Sequence, residues 1–208
     1  MPQVSKPKSG SMQFYPRVRA KRLYPNISTY PSEDKPRPMA FAGYKVGNLH
    51  VILTDNKKGS PTFGKQISTS ATVLDCPPLK AIGVRAYRKT NDGLQAMKEA
   101  MAKELPKFLS RKMKVGKYRT DESLAEIEKN LDNVVKLRLL VCTQPDLSGV
   151  GKKTPEIFEV EVGGTDPKEK LEFAKQMLGK EIKLADIVKE GELVDVIAVT
   201  KGKGTVGP

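Results

Sequence analysis

The chain has 208 residues, 38% hydrophobic and 29% charged, with a formal net charge of +13, 15 prolines and no tryptophan. This length suits one domain with extensions, no run approaches the roughly 20 apolar residues a membrane-spanning helix needs, and short periodic apolar runs exclude a wholly disordered chain. The charge is uneven: residues 1–119 carry 24 Lys and Arg against 7 Asp and Glu, a net of +17, whereas residues 120–208 carry 13 against 17, a net of −4. Such asymmetry points to a polyanionic partner, with nucleic acid ahead of an anionic membrane surface.

Residues 1–38 hold seven of the prolines, eight basic residues and two acidic ones, so they read as an extended arm rather than a helix or a central strand. In this arm Phe14, Tyr15, Tyr24 and Tyr30 are interleaved with Arg17, Arg19, Lys21 and Arg22. Two readings fit: cations meeting phosphates while rings stack on unpaired bases, or a solvated tail whose aromatics dock on the adjacent domain. The first 25 residues lack the apolar core of a secretory signal, and Pro2, Pro7, Pro16 and Pro25 interrupt the helix of a transit peptide, so a reducing cytoplasm is the expected location.

Residues 39–90 read as four short strands, at 39–44, 49–54, 67–74 and 79–87, with a turn at 56–59 and a break at Cys76, Pro77 and Pro78. Residues 91–134 read as a helical hairpin inserted between strands. Leu94, Met97, Met101 and Leu105 form the stripe of its first helix, and Leu124, Ile127, Leu131 and Val134 that of its second, with Thr120 as N-cap. Between them lies a basic tip, residues 107–119, with Lys107, Arg111, Lys112, Lys114, Lys117 and Arg119 and no acid. It is either a solvated loop or a polyanion contact. Residues 135–200 complete the β framework with strands at 135–142, 157–162 and 193–200 and one helix. That helix has Asp166 as cap, Pro167 at its first position, Glu169 three residues after the cap, and Gly179 at its end. Residues 201–208 begin a basic glycine loop in which Lys201 and Lys203 either reach phosphates or belong to a flexible tail. The spacing suits an antiparallel barrel or sandwich.

Catalytic and metal chemistry find little support. The segment from Gly59 through Gly64, Lys65 and Gln66 is one residue from a phosphate-binding P-loop, but Gln66 has no hydroxyl for Mg²⁺ and the β-branched run after it does not open a helix. A nucleotide-binding enzyme at Gly59 to Lys65 is therefore the remote alternative to a strand-connecting turn. His50 is the only histidine, and Cys76 and Cys142 lie 66 residues apart, so no metal site of ordinary spacing can be written and no cofactor is expected. The acidic residues of the second half read as helix first turns and solvated strand faces, with no paired carboxylates.

Several blocks, in order and spanning nearly the whole chain, resemble the universal third protein family of the large ribosomal subunit in its archaeal and eukaryotic form. They are Ala40-Phe-Ala-Gly43-Tyr44-Lys45-Val-Gly47 followed by His50; Val73-Leu-Asp-Cys-Pro77-Pro78 leading to Ile82-Gly83-Val84; Glu159-Val-Glu-Val-Gly163-Gly164; Lys170-Leu171-Glu-Phe-Ala174; and Asp195-Val-Ile-Ala-Val-Thr200-Lys201-Gly202-Lys203-Gly204. Asn48 and Leu49 depart from the Met-Thr usual before the histidine. The resemblance implies a translation-protein β-barrel with an α-helical insertion, binding of large-subunit rRNA by Arg17, Arg19, Lys21, Arg22, Lys45, Lys201 and Lys203, and a non-enzymatic role in assembly and near the peptidyl transferase region. It also implies neighbouring large-subunit proteins as partners, a place in the cytoplasmic ribosome and no membrane. The family continues past the Lys-Gly-Lys-Gly segment, so the expectation is an incomplete barrel whose returning strands come from elsewhere, a separate chain being one source. A free RNA-binding or chaperone module is the alternative outside the ribosome.

Overall fold

The structure, a computed structural model, describes residue 20 and residues 22–200. The chain divides into two units, one of Met1–Thr29 with Leu193–Pro208 and one of Tyr30–Glu192.

In the larger unit, β1 (Tyr44–Thr54) and β2 (Gln66–Asp75) form an antiparallel two-stranded sheet. β1 is a single strand, which corrects the expected pair at 39–44 and 49–54. Gly47 and Asn48 lie inside it because a register shift between Lys45 and Gly47 absorbs the irregularity as a bulge. Residues 39–43 are irregular, anchored at one end by the Met39 N–H, which donates to the Glu161 carbonyl at 3.0 Å. Most of the hairpin's side chains are exposed, Ile52 at 70%.

The second sheet runs β4-β3-β5-β6, with a short β7 beside β3. Its strands are β3 (Leu79–Thr90), β4 (Gly93–Met101), β5 (Lys136–Cys142), β6 (Ile157–Glu161) and β7 (Glu181–Ile182). The expected helix over 94–105 is overturned, since Gly93–Met101 pairs with β3 from Thr90↔Gly93 to Gly83↔Met101. Asn91 and Asp92 form a two-residue loop, and Gly93 takes φ +117, so the turn sends the chain back along β3. Pairing along a whole neighbouring strand outweighs the helix propensity of Leu, Met, Ala and Lys here. The insertion between β4 and β5 therefore holds one α-helix, α1 (Thr120–Lys129), preceded by a 3-10 turn at Lys107–Arg111. Thr120 is the first helical residue rather than the cap, and its buried hydroxyl donates to the Met101 carbonyl at 2.7 Å.

α2 (Pro167–Met177) starts and stops as its sequence predicts, with Asp166 at the cap position and Gly179 at φ +80, although the Asp166 side chain makes no capping hydrogen bond. Just past the helix, the Gly179 N–H donates to the Ala81 carbonyl (2.9 Å) and the Ala81 N–H to the Lys180 carbonyl (3.0 Å), which stitches the helix exit to β3 and leads into β7. Alternate residues of β3, β5 and β6, among them Val84, Leu139 and Val160, form one core with Ile127 of α1 and Leu171 of α2. Each such buried aliphatic side chain contributes about 1.5–3 kcal/mol. A smaller cluster of Ile82, Met101, Leu140 and Cys142 is closed by Leu109, which is fully buried in the 3-10 turn. Gly83 leaves no room for a side chain between β3 and β4, because a Cβ there would stand 2.8 Å from Met101 Sδ and 3.1 Å from the Ala100 carbonyl oxygen.

In the other unit, residues 193–200 are irregular and exposed, Leu193 at 98%, which corrects the expected last strand. A β-branched apolar run supplies propensity, but a strand exists only where another backbone pairs with it. The described strands make two sheets and no closed barrel; the fold is mainly β with a helical insertion.

Candidate nucleic-acid interface

The basic stretch 107–119 is the connection from β4 to α1. Its inner side is apolar: Leu109 is buried, and Phe108, Met113 and Tyr118 pack against the smaller core. Anchoring these residues turns Lys107, Arg111, Lys112, Lys114, Lys117 and Arg119 outward, and all six are exposed. β5–β6 pairing then brings a second basic segment to the same place. Lys152 and Lys153 lie in the loop between those strands, preceded by Gly149 and Gly151. Arg111 Nη1 donates to the Lys153 carbonyl at 2.9 Å, Lys112 Nζ donates to Glu156 Oε2 at 3.1 Å, and Lys152 Nζ donates to Glu156 Oε1. Burial pushes the Glu156 carboxyl up, but the two lysines outweigh it and hold it below the usual carboxylate range. The Lys152 and Lys153 contribution was missed in the sequence, where a Gly-Lys-Lys run offered a signal but its neighbour across the sheet did not show.

The other predicted residues fall as follows. Arg22 is exposed and donates to Asn26 Oδ1 at 3.1 Å, within the smaller unit. Lys45 is exposed on β1 opposite Leu74. Arg119 is 83% exposed with Glu122 at 3.4 Å, and Lys114 and Lys117 are exposed. Arg17, Arg19, Lys21, Lys201 and Lys203 lie outside the described residues.

The acidic strand residues need correction. Glu159 and Glu161 are not solvated: their side chains are 20% and 15% exposed and lie in an ionic cluster on the sheet. Arg85 Nη1 donates to Glu159, as do Arg138 Nη1 at 3.0 Å and the Tyr87 hydroxyl at 2.7 Å, while Lys136 meets Glu161 at 3.0 Å. The Arg138 guanidinium also lies 4.9 Å from the Tyr87 ring centre. Burial pushes the Glu159 carboxyl up, and the hydrogen bonds from Tyr87 and Arg138, with the Arg85 and Arg138 charges, more than reverse it. Every carboxylate here already has cationic partners, so the cluster joins β3, β5 and β6.

The P-loop-like segment closes the β1–β2 hairpin. Gly59 and Gly64 adopt φ +88 and +76, the Asp55 carboxylate accepts from the Thr62 hydroxyl at 2.6 Å and the Lys57 N–H at 2.9 Å, and Gln66 opens β2. A phosphate cradle needs a helix N-terminus behind the loop, and a strand stands there instead. His50 is exposed on β1 opposite Ser70. Cys142 is buried, which pushes its thiol up to about 11. Among the described residues no group of three or more His, Cys, Asp or Glu is placed to hold a metal ion, and no helix is long and apolar enough to cross a membrane.

Fold and surface together define a mainly β scaffold that presents a dense, predominantly basic face. Comparison with known proteins narrows that class. The family described as ribosomal protein L3 matches residues 1–208, and the chain belongs to that family. Similar proteins include the large ribosomal subunit protein uL3 of Methanobrevibacter smithii, 45% identical over 202 residues (97% of this chain, 60% of the relative). Those of Methanothermobacter thermautotrophicus and Pyrobaculum arsenaticum are each 44% identical, over 204 residues (97% and 60%) and 210 residues (98% and 62%) respectively. The chain thus spans about 60% of the length of these relatives.

Proposed function

We propose that this chain is a structural, non-enzymatic constituent of the large ribosomal subunit that binds large-subunit rRNA, supports subunit assembly and the peptidyl transferase region, and works beside neighbouring ribosomal proteins in the cytoplasm. The observation that carries this reading is the basic face at 107–119 and 152–153 on a chain of the ribosomal protein L3 family. Lys and Arg contacts to phosphates supply most of such affinity without reading sequence, while RNA shape and unpaired elements supply specificity. The arm cations Arg17, Arg19, Lys21 and Arg22, with Lys45, Lys112, Lys114, Lys117, Arg119, Lys201 and Lys203, make the phosphate contacts. A separate chain supplying further strands fits the exposed hairpin of β1 and β2.

The test has two arms. In a sucrose gradient after a moderate-salt wash, the chain is expected to co-migrate with the large subunit; migration only at the top of the gradient refutes the ribosomal reading and leaves a free RNA-binding module. In filter binding to large-subunit rRNA, replacing Arg17, Arg19, Lys21 and Arg22 by Ala is expected to lower the slope of log affinity against log salt by about 3, at roughly 0.7–0.9 per phosphate contact. An unchanged slope removes the arm from the interface.

A further inference from the structure

The two basic segments are 33 residues apart at their nearest, Arg119 to Lys152, yet one carboxylate takes an ammonium from each. The backbone that carries that carboxylate is itself fixed. The Glu156 N–H donates to Thr143 Oγ1 at 3.0 Å, the Glu156 carbonyl accepts the Thr143 N–H at 3.0 Å, and the Tyr44 hydroxyl donates to the same Thr143 oxygen at 3.1 Å. The Glu156 side chain is only 14% exposed, whereas Lys112 and Lys152 are 40% and 21% exposed, so the acid sits underneath and the cations above it. Arg111, donating to the Lys153 carbonyl, is a second tie between the segments.

From this geometry we infer that Glu156 is a positioning residue. It clamps the 107–119 stretch to the 152–153 loop, making a single RNA-backbone-binding surface to which Lys152 and Lys153 contribute. The inference rests on the rRNA-binding reading above. Of eight cations on this surface, Lys107 to Arg119 with Lys152 and Lys153, three are ion-paired, to the carboxylates of Glu156 and Glu122, while Asp121 beside Glu122 is taken by Lys103. Among the large apolar side chains of 107–119 only Val115 is strongly exposed, at 43%, so the surface lacks the apolar centre typical of a protein partner. A phosphate backbone matches it better, because it presents anions at regular intervals to cations held at fixed spacing.

The clamp predicts a sign opposite to that of bulk charge. Removing a negative charge from a basic face should strengthen polyanion binding if the face acts only through its net charge. With Glu156→Gln, Lys112 and Lys152 repel each other and the loop drifts at the glycines before Lys152, so affinity of the full chain for a large-subunit rRNA transcript is expected to fall about three- to tenfold, with a lower salt slope. Glu156→Asp restores part of the loss. Lys152→Ala with Lys153→Ala lowers the slope by about 1.4–1.8, and Lys153→Ala alone, a change at an exposed side chain, by about 0.7–0.9 with the melting transition in place. Unchanged or tighter RNA binding by Glu156→Gln, or an unaltered slope for the lysine pair, overturns the clamp while leaving the rRNA reading intact. Equal binding to polyglutamate competitor assigns the surface to an acidic protein and overturns it as well. No rRNA binding by the unaltered chain removes both readings at once.

Discussion

Glu159 offers the sharpest test of how the sheet is held. Its carboxylate, 20% exposed, receives Arg85, Arg138 and the Tyr87 hydroxyl, and those two arginine side chains are only 25% and 16% exposed. Glu159→Leu removes the acceptor the two guanidinium groups share, leaving Arg85 with Glu99 at 2.6 Å and Arg138 with Glu161 at 4.0 Å. Removing one partner of a fully buried pair costs about 3–5 kcal/mol; the partial access to water here lowers that to about 2–3 kcal/mol. With a urea dependence of about 2 kcal/mol per M for a unit of this size, the unfolding midpoint should fall by about 1–1.5 M at constant slope, read by circular dichroism at pH 7. The triple change Arg85→Met, Glu159→Leu and Arg138→Met removes these three charges together, leaves Glu99 exposed enough at 43% to be hydrated, and should return the midpoint to within about 0.5 M of the original, because desolvation of the ions offsets most of their attraction. A single-variant shift below about 0.2 M, or a triple variant as unstable as the single one, would refute the argument that the cluster is a mutually dependent unit.

Acid should find the same cluster. Glu159 and Glu156 are both held below their ordinary range, so the stability they contribute is fully present above the unfolded carboxylate value of about 4.3 and is lost as pH falls through their lower folded values. The urea midpoint should therefore decline from about pH 4.5 downward, and Glu159→Gln should flatten that decline; an equally steep decline in the variant contradicts the assignment. The thiols should differ as well. Burial, and then the nearby Asp75 charge, pushes the Cys76 thiol up, whereas burial alone dominates at Cys142 and pushes it up to about 11. Iodoacetamide at pH 8 followed by mass spectrometry is expected to label Cys76 in the folded chain and Cys142 only after unfolding, and equal labelling in the folded state counts against the buried placement.

Local signals were most readable where the chain's own chemistry decides the outcome. Pro167 and Gly179 bracket α2 because a proline ring and a left-handed backbone act within one turn. Residues 157–162 read as a strand, and there Val160 and Val162 are buried while Glu159 and Glu161 point to the other face. Where a distant partner decides, the reading failed. Leu94, Met97 and Met101 carry a helical period, yet β3 holds them as a strand; residues 193–200 carry a strand pattern and are irregular. The interface divides in the same way. The charge run of 107–119 is visible in any window of sequence, but its link to Lys152 through Glu156 and the burial of Glu156 depend on β5–β6 pairing, which no local pattern encodes. Likewise Glu159 reads as an ordinary strand-face acid until β3 and β5 bring Arg85 and Arg138 to it.

The pairing of β7 with β3 has a consequence in time. Leu79 is opposite Ile182, a partner 103 residues later in the chain, and the Gly179 and Lys180 bonds to Ala81 belong to the same seam. At roughly 5–20 residues per second of synthesis, the start of β3 waits about 5 to 20 seconds for its neighbour to be made. Until then Leu79 and Ala81, both fully buried in the finished sheet, stand at an open strand edge. The nascent chain therefore passes through a window in which its most central strand can pair with the wrong partner, and that window closes only after α2 has been synthesised.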